Sequence, residues 1–250
     1  MMSSKICIIT GASNGIGKEI ALLFAKNNCD IAFIDKDNEN GLKLQKQIKY
    51  MGRECLFIND NIDNEKSIKS FTDKIIEKFG NVDYLINNAC YSNKGLLSNC
   101  SYDDFLEIFK IGAAAPYEIT KNLMNNFNEK ACIINIASTR AFMSQKDSES
   151  YSATKGAIIA LTHAMAISLS HKVRVNSISP GWINTIDDAS FSKEDILQHP
   201  SAKVGKTSDI ASTAWFLCNN DFINGENITV DGGMTKLMIY HNDEGWKLDI

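Results

Sequence analysis

Three prolines in 250 residues are few. So low a number leaves little room for a rigid inter-domain hinge, and no proline- or serine-rich linker divides the chain. Long apolar runs are missing as well: none reaches the ~18 residues of a membrane-crossing helix. The start, Met1-Met2-Ser3-Ser4-Lys5, leads straight into Ile6-Cys7-Ile8-Ile9 and then a glycine, too short for a secretory leader. An excess of positive charge is lacking. With 26 Lys and Arg against 30 Asp and Glu, the formal net charge of -4 excludes a strongly basic footprint for nucleic acid. The 7 cysteines include no C-x-x-C pair, so neither a disulfide framework nor a metal cluster is expected. Cys7, Cys132 and Cys218 sit in apolar stretches where a thiol behaves as a small hydrophobe, and unpaired thiols point to the cytoplasm.

What the chain does have is alternation. Short apolar runs occupy Lys5–Thr10, Asp30–Asp35, Cys55–Ile58, Val82–Ile86, Ala131–Ala137, Val173–Ser179 and Asn227–Val230. Between them lie amphipathic segments. Ile16, Ile20, Leu23 and Phe24 share one helical face, and Ile68, Phe71, Ile75, Ile76 and Phe79 share another. Ser101-Tyr102-Asp103-Asp104 has the pattern of a capped helix start, and helices are expected near 152–170 and 208–218. Continuous apolar strands, each followed by a helix, predict an α/β fold. The expectation is a single doubly wound domain over 1–250, with about seven parallel strands and helices on both faces. Such sheets bind ligands at the carboxyl ends of their strands, so chemistry should gather just after the apolar runs.

It does. Thr10-Gly11-Ala12-Ser13-Asn14-Gly15-Ile16-Gly17 follows the first run and opens the first helix. Glycines let the backbone turn tightly against a pyrophosphate, and a helix N-terminus offers unpaired N–H groups to it. Asp35 ends the second run, where an acid can bind the adenosine ribose hydroxyls and repel a 2′-phosphate. That favours NAD over NADP; Lys36 is the residue that would serve the phosphate of NADP. Asp60-Asn61 and Asn87-Asn88-Ala89 follow the next two runs, at positions suited to the adenine and ribose. Farther on, Ser138 follows the Ala131–Ala137 run, and Tyr151 stands at i, i+4 from Lys155, placing phenol and ammonium on one helix face. A phenol is a poor base at neutral pH, and a neighbouring cation favours its phenolate.

These residues resemble the short-chain dehydrogenase/reductase family over essentially the whole chain. Thr10–Gly17, Asp60, Asn87-Asn88-Ala89, Ser138, Tyr151-x-x-x-Lys155 and Pro180-Gly181-Trp182-Ile183-Asn184-Thr185 lie in the family's order and spacing. The resemblance implies a Rossmann domain that interconverts a secondary alcohol and a ketone by hydride transfer to or from NAD, with NADP second. It implies Tyr151 as general acid/base, Ser138 as anchor of the substrate oxygen, and Lys155 as modulator of the tyrosine and ribose ligand. The dinucleotide would lie on Gly11, Ser13, Asn14, Gly15, Ile16, Gly17, Asp35, Asp60, Asn61, Asn87, Ala89, Pro180, Gly181, Ile183 and Thr185. The partners it implies are a small alcohol or ketone and further copies of the chain, in a dimer or tetramer. Pairing would run through helices near 101–128 and 152–170, where Ala113–Ala115 and Ala164–Ala166 offer small residues. No metal, nucleic acid or membrane enters. Alternatives are an NADPH-linked 3-oxoacyl-thioester reductase and a non-catalytic dinucleotide sensor.

Two positions depart from the family pattern. Cys90 stands where the Asn-Asn-Ala turn usually ends in glycine, and Gly112 where an asparagine usually completes a proton relay. Glycine there is expected to ease a helix bend while a water keeps the relay, or else to admit a close neighbour. His163 reads as a packed or interface residue and Trp182 as pocket wall or lid support. Residues 186–206 fall where the family places its variable substrate loop, and the tail 234–250 carries Met238, Tyr240, His241 and Trp246, which need a surface to cover.

Overall fold

Runs of β-branched residues are stable only where both strand faces are covered, and the chain buries them that way. The computed structural model describes residues 4–92, 95–186 and 189–240. Its main sheet holds β1 (Lys5–Thr10), β2 (Cys29–Asp35), β3 (Cys55–Asn59), β4 (Val82–Asn87), β5 (Phe127–Ile136), β6 (Val173–Pro180) and β9 (Asn227–Val230). They lie in the order β3-β2-β1-β4-β5-β6-β9, with every pair parallel. Successive side chains of β1 point to opposite layers. Cys7 and Ile9 join a cluster with Ile20 and Phe24 of α1 (Gly15–Lys26), Leu44 of α2 (Asn38–Tyr50) and Leu217 of α8 (Thr207–Asn219). Ile8 joins one with Phe71 of α3 (Glu65–Phe79), Ile119 of α5 (Ala115–Leu123) and Met165 of α6 (Glu149–Ser168). The doubly wound expectation holds.

Helix starts follow local chemistry. Asp37 accepts the Asn40 N–H ahead of α2, and Asn64 accepts that of Ser67 ahead of α3. Ser101 and Asp104 exchange bonds in a reciprocal box that opens α4 (Tyr102–Phe109), as the sequence predicts. Each such cap contributes ~1 kcal/mol. A π turn over Lys110–Ala114, with Gly112 at its centre, joins α4 to α5. α4 packs on α6, whereas α5 packs on α3.

Strand boundaries match the apolar runs closely, with one instructive exception. β5 starts at Phe127 rather than Ala131, because Asn128, Glu129 and Lys130 are polar residues of an irregular strand entry, with Lys130 at φ 63°. Periodicity does not reveal such a stretch. A second, two-stranded sheet pairs β7 (Ile183–Asn184) with β8 (Gly205–Lys206) and closes the base of the 186–206 segment, which also carries α7 (Lys193–Leu197). All 7 cysteines are unpaired. Burial pushes the Cys29 and Cys55 thiols up to about 12, as suits core hydrophobes. Met238 and Tyr240 are exposed, while His241 and Trp246 lie outside the described residues. Among the described residues no helix is long and apolar enough to cross a membrane.

The chain builds β1, β2 and β3 in one direction and then returns to set β4 on the other side of β1. A crevice opens at the carboxyl ends of β1 and β4, where the winding reverses.

Candidate active site

That crevice is a cleft of about 1020 Å³. Its floor begins at the turn after β1. Gly11 adopts φ +68°, which an L side chain resists, and a Cβ there would lie 2.9 Å from the Ala89 Cα. Thr10 holds the opposing turn, its buried hydroxyl accepting the N–H groups of Asn88 and Ala89 at 3.0 Å each. Asn88 replies with its amide, donating to the Gly11 carbonyl at 2.7 Å. The first turn of α1 carries no acidic residue, and Asn14 makes no capping bond. Its amide goes instead to Asp37 at 2.9 Å, and bonds from Asn40 and then Asn14 hold the Asp37 carboxyl below its ordinary range. The leading N–H groups of α1 are thus left without a side-chain partner, which fits an anionic pyrophosphate.

Asp35 closes one end. Its two oxygens accept the N–H groups of Ser13 at 2.8 Å and Asp37 at 2.9 Å, which fix the carboxylate while leaving lone pairs for a ligand. Lys36 lies over the Tyr91 ring, 5.0 Å from its centroid. Asp60 and Asn61 line the same end.

At the other end, Ser138, Tyr151 and Lys155 converge from β5 and α6. The Ser138 hydroxyl accepts the Arg140 N–H at 3.2 Å, so its own proton stays available for donation. Lys155 is 3% exposed and donates to the Ile136 carbonyl at 2.7 Å. Its ammonium lies 5.4 Å from the centroid of the Tyr151 ring and keeps two further donors. Pro180, Gly181, Ile183 and Thr185 border the cleft above Gly15 and Ile16.

Three sequence-predicted residues lie behind the wall rather than on it. Ser13 is buried and gives its hydroxyl to the Asp37 carbonyl at 3.2 Å. Gly17 sits where a Cβ would be 2.2 Å from the Gly11 carbonyl oxygen. The Asn87 side chain turns into the sheet, donating to Asn135 at 2.8 Å, and Asn135 in turn donates to Thr162 of α6 at 2.9 Å. Trp182 does both things expected of it, lining the cleft and packing on Phe191 and His199. His163 lies exposed on α6, away from the cleft. Sequence reasoning missed Thr10, the first residue of the glycine-turn motif, as a brace and Arg140, Gln145, Gln198 and Met234 as lining; of the lining residues Arg140 lay two residues past Ser138. Among the described residues no cluster of His, Cys, Asp or Glu could hold a metal ion.

Comparison with known proteins agrees with this geometry. A family model described as enoyl-(acyl carrier protein) reductase matches residues 11–235. An uncharacterized oxidoreductase of Thermotoga maritima is 37% identical over 254 residues, 96% of this chain and 99% of the relative. The chain belongs to the short-chain dehydrogenase/reductase family. An apo SCOR enzyme from Clostridium thermocellum superposes with a TM-score of 0.91 at 42% identity, covering 100% of both chains. A blue fluorescent protein from a metagenomic library, in complex with NADPH, superposes at 0.85 with 27% identity over 92% of this chain and 97% of its own.

The two departures of this short-chain dehydrogenase/reductase from its family meet in space. A Cβ on Gly112 would lie 2.4 Å from Thr154 Cγ2 and 3.0 Å from Cys90 Sγ. Thr154 is fully buried on α6, one residue before Lys155, so the π turn approaches α6 through the absent side chain. Close approach therefore accounts for the glycine, and the Cys90 thiol fills part of the space beside it.

Proposed function

We propose that this chain interconverts a secondary alcohol and a ketone by hydride transfer, with NAD preferred over NADP. The observation that carries the reading is the convergence of Ser138, Tyr151 and Lys155 at one end of a cleft whose other end is the glycine turn and Asp35. The nicotinamide dinucleotide supplies the hydride chemistry. Everything else is assigned to the protein. Ser138 donates its hydroxyl proton to the substrate oxygen and orients it. Tyr151 gives a proton to that oxygen in the direction of reduction and takes it back in oxidation. Lys155, anchored on Ile136, sets a positive charge beside the phenol and offers its remaining donors to the ribose.

The preference for NAD rests on Asp35, whose carboxylate would hydrogen-bond the ribose hydroxyls and repel a 2′-phosphate. Lys36, the candidate for serving such a phosphate, rests on Tyr91. The reading includes a homo-oligomer in the cytoplasm. Unpaired thiols support the compartment, and Phe109 and Ile167, exposed on α4 and α6, support pairing through those helices. Ala113 and Ala115 are already buried within the subunit, so they lend that interface nothing.

Initial rates with NAD, NADP and their reduced forms across alcohols, ketones and 3-oxoacyl thioesters test the reading. Turnover of simple ketones with a preference for NAD is expected. A preference for NADPH with acyl thioesters would move the assignment to a 3-oxoacyl-thioester reductase, and cofactor binding without turnover would leave a sensor.

A further inference from the structure

The two ends of the cleft carry opposite charge. Its acidic lining residues are Asp35 and Asp60, both at the adenosine end. The catalytic end holds Lys155 and Arg140 and no carboxylate. Lys155 is committed to Ile136 and, in the reading above, to the ribose. Arg140 is not committed in that way. It stands in the short turn Thr139–Ala141, two residues past Ser138, with its guanidinium carbon 5.6 Å from the centroid of the Tyr151 ring. One terminal nitrogen, Nη2, donates to the Gln145 side-chain oxygen. Its Nε and Nη1 have no protein acceptor among the described residues, and no carboxylate there comes within ion-pair distance.

A guanidinium at the rim of the cleft with an open edge is well shaped to take two oxygens at once. Gln145 holds the group by one corner, which restricts its swing, and Arg140 lines the same cleft as Ser138 and Tyr151, with its guanidinium carbon 5.6 Å from the Tyr151 ring centroid. We propose that the substrate carries a carboxylate that pairs with Arg140, so that the enzyme works on short oxo acids and the corresponding hydroxy acids. The proposal rests on the alcohol–ketone reading of the same site. In the reducing direction the hydride of the reduced nicotinamide forms the new C–H bond at the oxo carbon. The C=O π electrons take the proton from the Tyr151 hydroxyl, the nicotinamide is oxidised, and the carboxylate leaves unchanged. Arg140 is a specificity-determining residue in this scheme and takes no part in proton transfer.

The test compares short 2-oxo and 3-oxo acids with their own amides, which keep the size and lose the charge. The ratio of kcat/KM for acid over amide is measured in the wild type, Arg140→Lys and Arg140→Met, beside calorimetric titration of the same acids into the NAD-loaded protein. The wild type should favour the acid by on the order of ten- to a hundredfold, the range of a charge-assisted pair. Arg140→Met should bring the ratio close to one, chiefly through KM, and Arg140→Lys should keep an intermediate value. Calorimetry should show the acid binding the wild type and not the Met variant. Equal handling of acid and amide by the wild type overturns the proposal, as does a ratio that survives in Arg140→Met while both rates fall together. If no compound turns over with either cofactor, the alcohol–ketone reading has failed. Carboxylate binding that is lost in Arg140→Met would then still uphold the pairing, and absence of binding would end it.

Discussion

The two ends of the cleft, proposed above to take the adenosine and the substrate, are built by different means. At the adenosine end, backbone does the work: Gly11, Gly15 and Gly17 shape a turn, and the Asp35 carboxylate is locked by two N–H groups from residues close to it in the fold. At the substrate end, side chains arrive from separate parts of the chain, with Arg140 and Gln145 after β5, Trp182 after β6, Gln198 after α7 and Met234 after β9. Backbone geometry demands particular residue types at fixed offsets. Converging side chains demand only that something of suitable size and charge come near. One end therefore tolerates little variation, and the other is free to define a substrate.

The largest effect that would sharpen this contrast is at Tyr151. Tyr151→Phe keeps the ring beside Lys155 and, in the proposed mechanism, removes the exchanged proton, so turnover should fall by on the order of 10²–10⁴-fold while NADH still binds. Fluorescence titration and steady-state rates measure the two separately, and more than half the activity surviving would remove Tyr151 from the chemistry.

Gly112 packs behind the cleft, against Thr154 of α6 and Cys90. Gly112→Ala drives a Cβ into the Thr154 methyl and should destabilise the fold by about 1–3 kcal/mol, the usual cost of overpacking. Thr154→Ser removes that methyl while keeping the hydroxyl that bonds the Ser150 carbonyl, and should recover most of the loss in a double-variant cycle of thermal or urea unfolding. Additive losses would show that the glycine is needed for something other than close approach.

The smallest expected effect lies at the end read most easily. On the proposed cofactor reading Asp35→Ala would remove a ribose acceptor and a repulsive charge, and should reduce the proposed NAD over NADP preference in kcat/KM by about tenfold or somewhat more. Wild-type protein using both cofactors equally would show that the carboxylate does not discriminate.

Legibility followed the same division. The sheet could be read because buried parallel strands leave unbroken runs such as Ile6-Cys7-Ile8-Ile9, and the glycine turn because it follows one of them. The entry of β5 was hidden because Asn128–Lys130 carry no apolar signal. Asn87 was placed on the cofactor because a polar pair at a strand end looks alike whichever member turns inward, and it is Asn88 that braces the glycine turn. Gln198 and Met234 could not be found at all, since neither belongs to a local pattern and only the tertiary fold brings them to Trp182.

The π turn at Lys110–Ala114 has a consequence for helical phase. An α-helix advances its side chains by about 100° per residue, so one extra residue in a turn rotates everything beyond it by about that angle. On an uninterrupted helix Ile108 and Ile119 would share a stripe and face one neighbour. With the offset, the segment before the turn addresses α6 and the segment after it addresses α3. A single chain segment thereby serves two partners on different bearings. Deleting one residue from Lys110–Ala114 would remove the extra residue together with the wide turn, so the helix would wind regularly while Ile119 and Leu123 kept their bearing on α3.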